Sequence, residues 1–306
     1  MSRFEFDRLS ADYAASRFAA DATVAEMRTA FAAGAVPPPP GFAARDTVLG
    51  GRPAIELVPG DGGAGALLYL HGGGYVIGSA ATGVGIAAAL AERAGTTAYS
   101  LDYRLAPEHR FPAPVDDALA AFRELVDRVG GRRLVVAGDS AGGGLAVATL
   151  VAARDAGLEM PAAVAVFSPW ADLTLSGDSF TDRVGDDPLF SQADIRGYAD
   201  RYLPEGGAAE VAASPLASPV FASLRGLPPM LVQVGTRELL LDDAVRLAAN
   251  AAHDDVEVVL EAAARAPHNY QTSLDALEAS TAALDRAGAF LGRHLGAGIG
   301  RAELVS

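Results

Sequence analysis

Three stretches of this chain combine residue types that could carry out acyl transfer. The first is "GDSAGGGLAVATLV", residues 138–151, in which Ser140 stands between glycines. A G-x-S-x-G pattern should arise by chance roughly 0.2 times in a chain this rich in Gly and Ser, so the pattern alone says little. Its setting says more. The apolar, β-branched "RLVVA" precedes it, and an Ala-rich run closing on Gly157 follows it. Glycines let a strand turn abruptly into a helix, so that the Ser hydroxyl stands clear at the helix N-terminus, where a nucleophile is needed. The second stretch is "LYLHGGGYVIGS", where a strand pattern runs into Gly72, Gly73 and Gly74. Adjacent residues without side chains let backbone N–H groups approach a ligand closely, and with the N–H of Ala141 they could hold an oxyanion. A phosphate loop would need a Lys after the glycines, and a dinucleotide fingerprint would need G-x-G-x-x-G spacing; neither is present.

The third stretch supplies a base. The chain has five histidines, at positions 71, 109, 253, 268 and 294. His268, in "ARAPHNYQT", follows the strand pattern "VEVVLE" and precedes the last helical pattern, the place for a base that comes last in the chain. His253 and His294 read as helix C-terminal residues that meet the helix dipole favourably, and His109 lies in a Pro-rich loop before the nucleophile. An unperturbed imidazole places the rise of activity near pH ~6.5. For the acid, Glu238 and Asp242 compete after "PMLVQVG". Glu238 lies just past the strand end, whereas Asp242 and Asp243 precede "AVRLAANAAH" and suit N-caps of that helix. Tyr75, directly after the glycines, is a candidate for lining a substrate pocket. Asp102, Arg104 and Glu108 read as a fixing network around a strand end, and Trp170 as an anchor.

These residues need elements to position them. Short apolar strands at "ALLYL", "TTAYSL", "RLVVAG", "AAVAVFSP", "PMLVQVG" and "VEVVLE" alternate with helices near 82–94, 114–129, 141–157, 242–253 and 274–295. That alternation predicts a mostly parallel sheet covered on both faces. "DTVLGGRPAIELV" predicts a hairpin turning at Gly50-Gly51 and forming an antiparallel edge. One or two helices over residues 5–34 end at "VPPPP". Residues from Trp170 to Ser214 break the alternation with one helical pattern and flanking loops, which predicts a cap over the strand ends. The resulting division is N-terminal cap helices over 1–45 and a catalytic domain over 46–306, with the cap insertion at about 171–213.

The net charge of −14 argues against nucleic-acid and anionic-membrane partners. The absence of Cys excludes disulfides and a thiol nucleophile. The N-terminus lacks an apolar signal segment, and no apolar run approaches a membrane span, so the expectation is a soluble, cytoplasmic protein. No pattern suggests a metal site or another cofactor.

In combination, "HGGGYVIGS", "DYRLAPEHRFPAPVDDA", "GDSAGGGLA", "SPWADLT" and "VGTRELLLDDA" resemble the hormone-sensitive-lipase-like branch of the α/β-hydrolases, the bacterial esterases and acyl hydrolases. The resemblance runs from about Ala66 to the C-terminus. It implies an α/β-hydrolase fold with an eight-stranded sheet and a two-part cap, no cofactor, and hydrolysis of short-acyl carboxylic esters. Carried over, Ser140 is the nucleophile, His268 the base, and Gly73, Gly74 and Ala141 form the oxyanion hole. The family's usual acid is an Asp in D-P-L-x-D, and the aligned "ELLLD" begins with Glu238 instead. The expected partner is a small-molecule ester, with a homodimer left open. A lactone or natural-product ester hydrolase or acyltransferase is the alternative, and a non-catalytic ligand receptor on the same fold is a remote one.

Overall fold

A computed structural model describes residues 3–302 apart from 20, 61 and 207. The ends of the two expected segments, at 1–2 and 303–306, lie outside the described residues. Eight strands form one sheet in the order β1-β2-β4-β3-β5-β6-β7-β8. The opening hairpin is β1 (Phe42–Leu49) and β2 (Arg52–Pro59), and β2 is antiparallel to both of its neighbours. β3 (Ala66–Leu70), β4 (Thr97–Leu101), β5 (Leu134–Asp139), β6 (Ala163–Phe167), β7 (Met230–Arg237) and β8 (Val258–Pro267) pair in parallel.

The central strands β3, β5 and β6 are buried along their whole length, because helices cover both faces; their one charged residue, Asp139, stands at the C-terminal end of β5. Alternate residues divide between the two faces. Leu68, Leu70, Val136 and Val166 pack on one side with α4 (Ala113–Val129), α5 (Ala141–Asp155) and α9 (Leu241–His253). Leu67, Tyr69, Val135 and Phe167 pack on the other with α3 (Ala80–Ala94) and α10 (Glu278–Ala302).

Two findings differ from the sequence reading near the C-terminus. β8 continues to Pro267, well past Glu261, and its pairing with β7 shifts register between Gly235 and Arg237. The last helix begins at Glu278 rather than Leu274, after a 3₁₀ stretch (Tyr270–Ala276) in which Leu274 has φ +43°. The same helix runs on to Ala302 rather than ending near Leu295, so His294 is mid-helix and gains nothing from a C-terminal dipole. It packs edge-on against Phe290 at 4.7 Å, and burial lowers its pKa although Glu257 opposes the effect. His253 is the last residue of α9, as expected.

The insertion holds three helical segments where the sequence suggested one: α6 (Ser179–Asp182), α7 (Gln192–Tyr202) and α8 (Ala208–Ala212). Only α7 is long, and Ser191 starts it through a reciprocal capping box with Asp194. The N-terminal residues form α1 (Arg3–Ala15) and α2 (Val24–Ala32). Arg17, between them, pairs with Asp194 at 3.0 Å. Arg28 of α2 forms a forked pair with Glu108 at 2.6 and 2.8 Å and also donates to the carbonyls of Val76 and Ala106. Among the described residues no helix is long and apolar enough to cross a membrane.

Candidate active site

In an open parallel sheet the loops at the strands' C-terminal ends converge on one crevice. Here Ser140, Glu238 and His268 each directly follow a strand, β5, β7 and β8 respectively, and the triple glycine follows β3 after His71. Ser140 has φ +53° and ψ −122°, a conformation most side chains avoid. It is held by its N–H donating to Phe167 O at 2.8 Å and its carbonyl accepting from Gly143, Gly144 and Trp170. The turn depends on missing side chains. A Cβ at Gly142 would lie 2.1 Å from Leu70 O, and one at Gly144 would lie 2.0 Å from Trp170 O. Trp170 is therefore packed directly under the elbow, and its Nε1 donates to Asp172 O at 3.2 Å.

His268 Nε2 lies 3.0 Å from Ser140 Oγ, and its Nδ1 lies 2.5 Å from Glu238 Oε2. An ionised carboxylate only accepts, so Nδ1 carries the proton and Nε2 is free to accept one from Ser140. The other carboxylate oxygen of Glu238 accepts from Ser168 Oγ at 2.8 Å and Gly235 N at 2.7 Å. Ser168 Oγ also accepts from Asn269 N at 3.1 Å, so one hydroxyl joins the loop of the acid to the loop of the base. Burial alone would lower the His268 pKa. The charge and hydrogen bond of Glu238, with the charges of Asp187 and Asp139, outweigh burial and raise it.

Gly73 has φ +121° and Gly74 φ +60°. Gly73 O accepts from Val76 and Ile77, while the N–H groups of Gly73 and Gly74 have no acceptor among the described residues. Ala141 opens α5, where first-turn N–H groups lack an intrahelical partner. The glycine loop is fixed from behind by Asp139, which accepts from Gly72 N, the Tyr69 hydroxyl and Asn269 Nδ2 at 2.9, 2.6 and 2.8 Å. His71 is buried, stacked on Tyr103 at 4.3 Å, and bonded through Nδ1 to Gly72 O.

Tyr75 is buried in the seam between the glycine loop and the insertion, stacked on Tyr202 at 3.9 Å. Two other aromatics of the insertion lie over His268 and the glycine loop. Phe190 packs edge-on against His268 at 5.2 Å, and Tyr198 lies so close to Gly74 that a Cβ there would approach its ring to 2.6 Å.

Asp242 and Asp243 do not cap α9. Asp242 accepts from Ser179 N at 2.8 Å, and Asp243 accepts from Ala171 and Asp172 N, each at 2.8 Å. Buried N–H groups of the insertion have no water to bond and take these carboxylates, and the N-cap position of α9 is Leu240. Neither Asp contacts His268. The fixing network forms as expected: Asp102 accepts from Ala80 N, Arg104 forks onto Asp117, and Glu108 holds Arg28. Sequence reasoning passed over Asp139, Ser168, Asp187 and Phe190, although Asp139 and Ser168 lie inside the quoted "GDSAGGGLA" and "SPWADLT" motifs. Among the described residues no cluster of three His, Asp or Glu is arranged to hold a metal.

Residues 67–272 match a protein family described by its alpha/beta hydrolase fold. An acetyl-hydrolase of Streptomyces hygroscopicus is 42% identical over 263 residues, covering 85% of each chain. Among solved structures, an esterase from the bacterial hormone-sensitive lipase family is 37% identical with a TM-score of 0.90, covering 96% of this chain and 99% of that one. EstE5, in a crystal soaked with p-nitrophenyl butyrate, is also 37% identical with a TM-score of 0.90, covering 96% of this chain and all of the other. A match over most of the sheet and both ends of the site leaves one assignment: the chain belongs to the alpha/beta-hydrolase-fold family, in its bacterial hormone-sensitive-lipase branch.

Proposed function

We propose that this protein is a carboxylic ester hydrolase acting on small, short-acyl esters through an acyl-enzyme. The observation that carries the reading is the unbroken line from Ser140 Oγ through His268 to Glu238, with contacts of 3.0 and 2.5 Å. Ser140 Oγ attacks the ester carbonyl carbon while its proton passes to His268 Nε2. The carbonyl oxygen gains the negative charge and accepts from the backbone N–H groups of Gly73, Gly74 and Ala141. Collapse of the tetrahedral species breaks the C–O bond to the alcohol, which takes the proton from His268. Water then enters, gives a proton to the same nitrogen, and releases the acid and the Ser140 hydroxyl. Glu238 stays ionised throughout and keeps Nδ1 protonated, so that the imidazolium formed at each attack is matched by a buried anion.

The substrate class follows from the cover. The N-terminal helices and the insertion at 171–213 form a two-part cap, and its rings Phe190 and Tyr198 lie against the base and the glycine loop. A roof so close leaves room for a short acyl group. The acetyl-hydrolase relative and the p-nitrophenyl butyrate with which the EstE5 crystal was soaked agree with that size.

A p-nitrophenyl ester series tests both parts. Turnover should be highest for acyl chains of about two to eight carbons. The native enzyme should release a burst of nitrophenol, and Ser140→Ala should lose the burst and at least about 10³-fold in kcat. A burst retained in Ser140→Ala would overturn the mechanism, and faster turnover of a long-chain emulsion would overturn the size assignment.

A further inference from the structure

We infer that Asp187, a residue of the insertion, is a positioning residue that ties the cap segment bearing Phe190 to the turn bearing Glu238. The inference rests on the Ser140–His268–Glu238 reading and extends it to a residue outside that line.

Asp187 is buried, with 5% of its surface exposed. One carboxylate oxygen accepts from the N–H groups of Leu189 and Phe190 at 2.8 and 3.0 Å. The other accepts from Leu239 N at 2.9 Å, across 52 residues of sequence. Leu239 directly follows Glu238, and Phe190 is the ring packed edge-on against His268. One side chain thus fixes the backbone beside the acid and the backbone of the residue covering the base. Among the described residues it has no cationic partner. All three of its side-chain partners are donors, an arrangement that suits the anion rather than the protonated acid.

Three carboxylates act on His268, each from a different element: Glu238 after β7, Asp139 at the end of β5, and Asp187 in the insertion. Each favours the imidazolium. Glu238 does so by direct contact, and Asp187 and Asp139 by charge alone. Burial holds the Asp187 pKa above the ordinary carboxylate value, against the smaller opposing pull of the backbone N–H groups and the His268 charge. Removing the Asp187 charge while keeping its shape therefore leaves His268 with one fewer stabilising anion. The neutral base then persists to lower pH. Because the neutral form is the active one, the acidic limb of the pH profile moves down.

The test is the pH dependence of kcat/KM and kcat for the full chain with p-nitrophenyl acetate, comparing the native enzyme, Asp187→Asn and Asp187→Glu. The native limb should lie above the ordinary histidine value of about 6.5. In Asp187→Asn the midpoint should fall by a few tenths to about one pH unit, with kcat about tenfold lower and KM changed less. Asp187→Glu keeps the charge but cannot hold all three N–H groups, so its midpoint should stay native while kcat falls. If Asp187→Asn does not fold, as judged by circular dichroism, Asp187→Ser, which also removes the charge, supplies the midpoint in its place. Native kcat and midpoint in either folded variant would overturn the inference. An unshifted midpoint in folded Asp187→Asn would also overturn it, since a purely structural role lowers kcat without moving the limb. Ser140→Ala separates the two readings. If it remains active, the catalytic assignment falls; if it is inactive while the Asp187 variants behave as native, only the role of Asp187 falls.

Discussion

In the proposed mechanism Glu238 takes the place of the family's usual Asp with a side chain one methylene longer. Ser168 and Gly235 hold one oxygen, so the other reaches His268 at 2.5 Å instead of swinging freely. Glu238→Gln replaces an acceptor with a group that can present N–H to Nδ1 and favour the wrong tautomer. Turnover should fall of order 10³–10⁴-fold with the fold intact, measured by kcat alongside thermal unfolding. Asp242→Asn, which keeps an acceptor for Ser179 N, should leave turnover near native; the opposite pattern would give the acid role to Asp242. At this scale the legible residues were those defined by neighbours in sequence. Ser140 shows itself by adjacent glycines, and His268 by its place after the last strand. Asp242 and Asp243 misled because a helix start offers exposed donors, whereas buried donors from Ser179, Ala171 and Asp172, more than 60 residues away, compete for them. Ser168 and Asp187 were illegible for the same reason: their partners lie 101 and 52 residues distant. The limb expected near pH ~6.5 for an unperturbed imidazole was open to a shift by nearby charges, and the carboxylates around His268 set its direction as upward.

At the scale of elements, strand positions and order of appearance were legible because buried parallel strands are short apolar runs between turns. β8 was not. Its second half, "AAARAP", is rich in Ala and carries no strand alternation, so the reading stopped at Glu261. Pairing extends it instead: Arg265 takes φ +68° and donates its N–H to Thr236 Oγ1 at 2.8 Å, which closes the register shift and brings Pro267 opposite Arg237. The glycine loop gives the prediction at this scale. A Cβ at Gly73 would lie 2.1 Å from Ile77 O at φ +121°, so Gly73→Ala must displace the loop. Displaced N–H groups stabilise the oxyanion poorly, and kcat should drop by about 10²–10³. Unchanged kcat with only a higher KM would show that the loop binds substrate without stabilising charge.

For the whole molecule, the sequence pointed to a two-part cap but not to what secures it. Arg28 does much of that work from α2. Its pair with Glu108 is partly exposed, and exposed pairs add little. Its bonds to the Val76 and Ala106 carbonyls are the larger contribution, because they tie α2 to the segment following the glycine loop and to the loop after β4. Arg28→Ala should therefore cost on the order of 1–2 kcal/mol, seen as a lower denaturation midpoint and faster proteolysis before residue 41. Denaturation and proteolysis like those of the native protein would show that other contacts hold the N-terminal helices.

The strand ends that carry Ser140, Glu238 and His268 also decide where the chain can tolerate a change of length. Helix connections on the outer faces can gain or lose residues while the sheet keeps its register, since none of them measures out the distance to a reacting atom. Between Ala263 and Pro267 the opposite holds. Four steps of β8 span two of β7 there, and the surplus sets how far His268 reaches toward Ser140. Deleting one residue would draw the imidazole back by about 3.3 Å, one strand step, farther than a hydrogen bond can stretch. That short segment acts as a spacer whose residue count matters more than its composition, and length variation among working relatives should be absent from it.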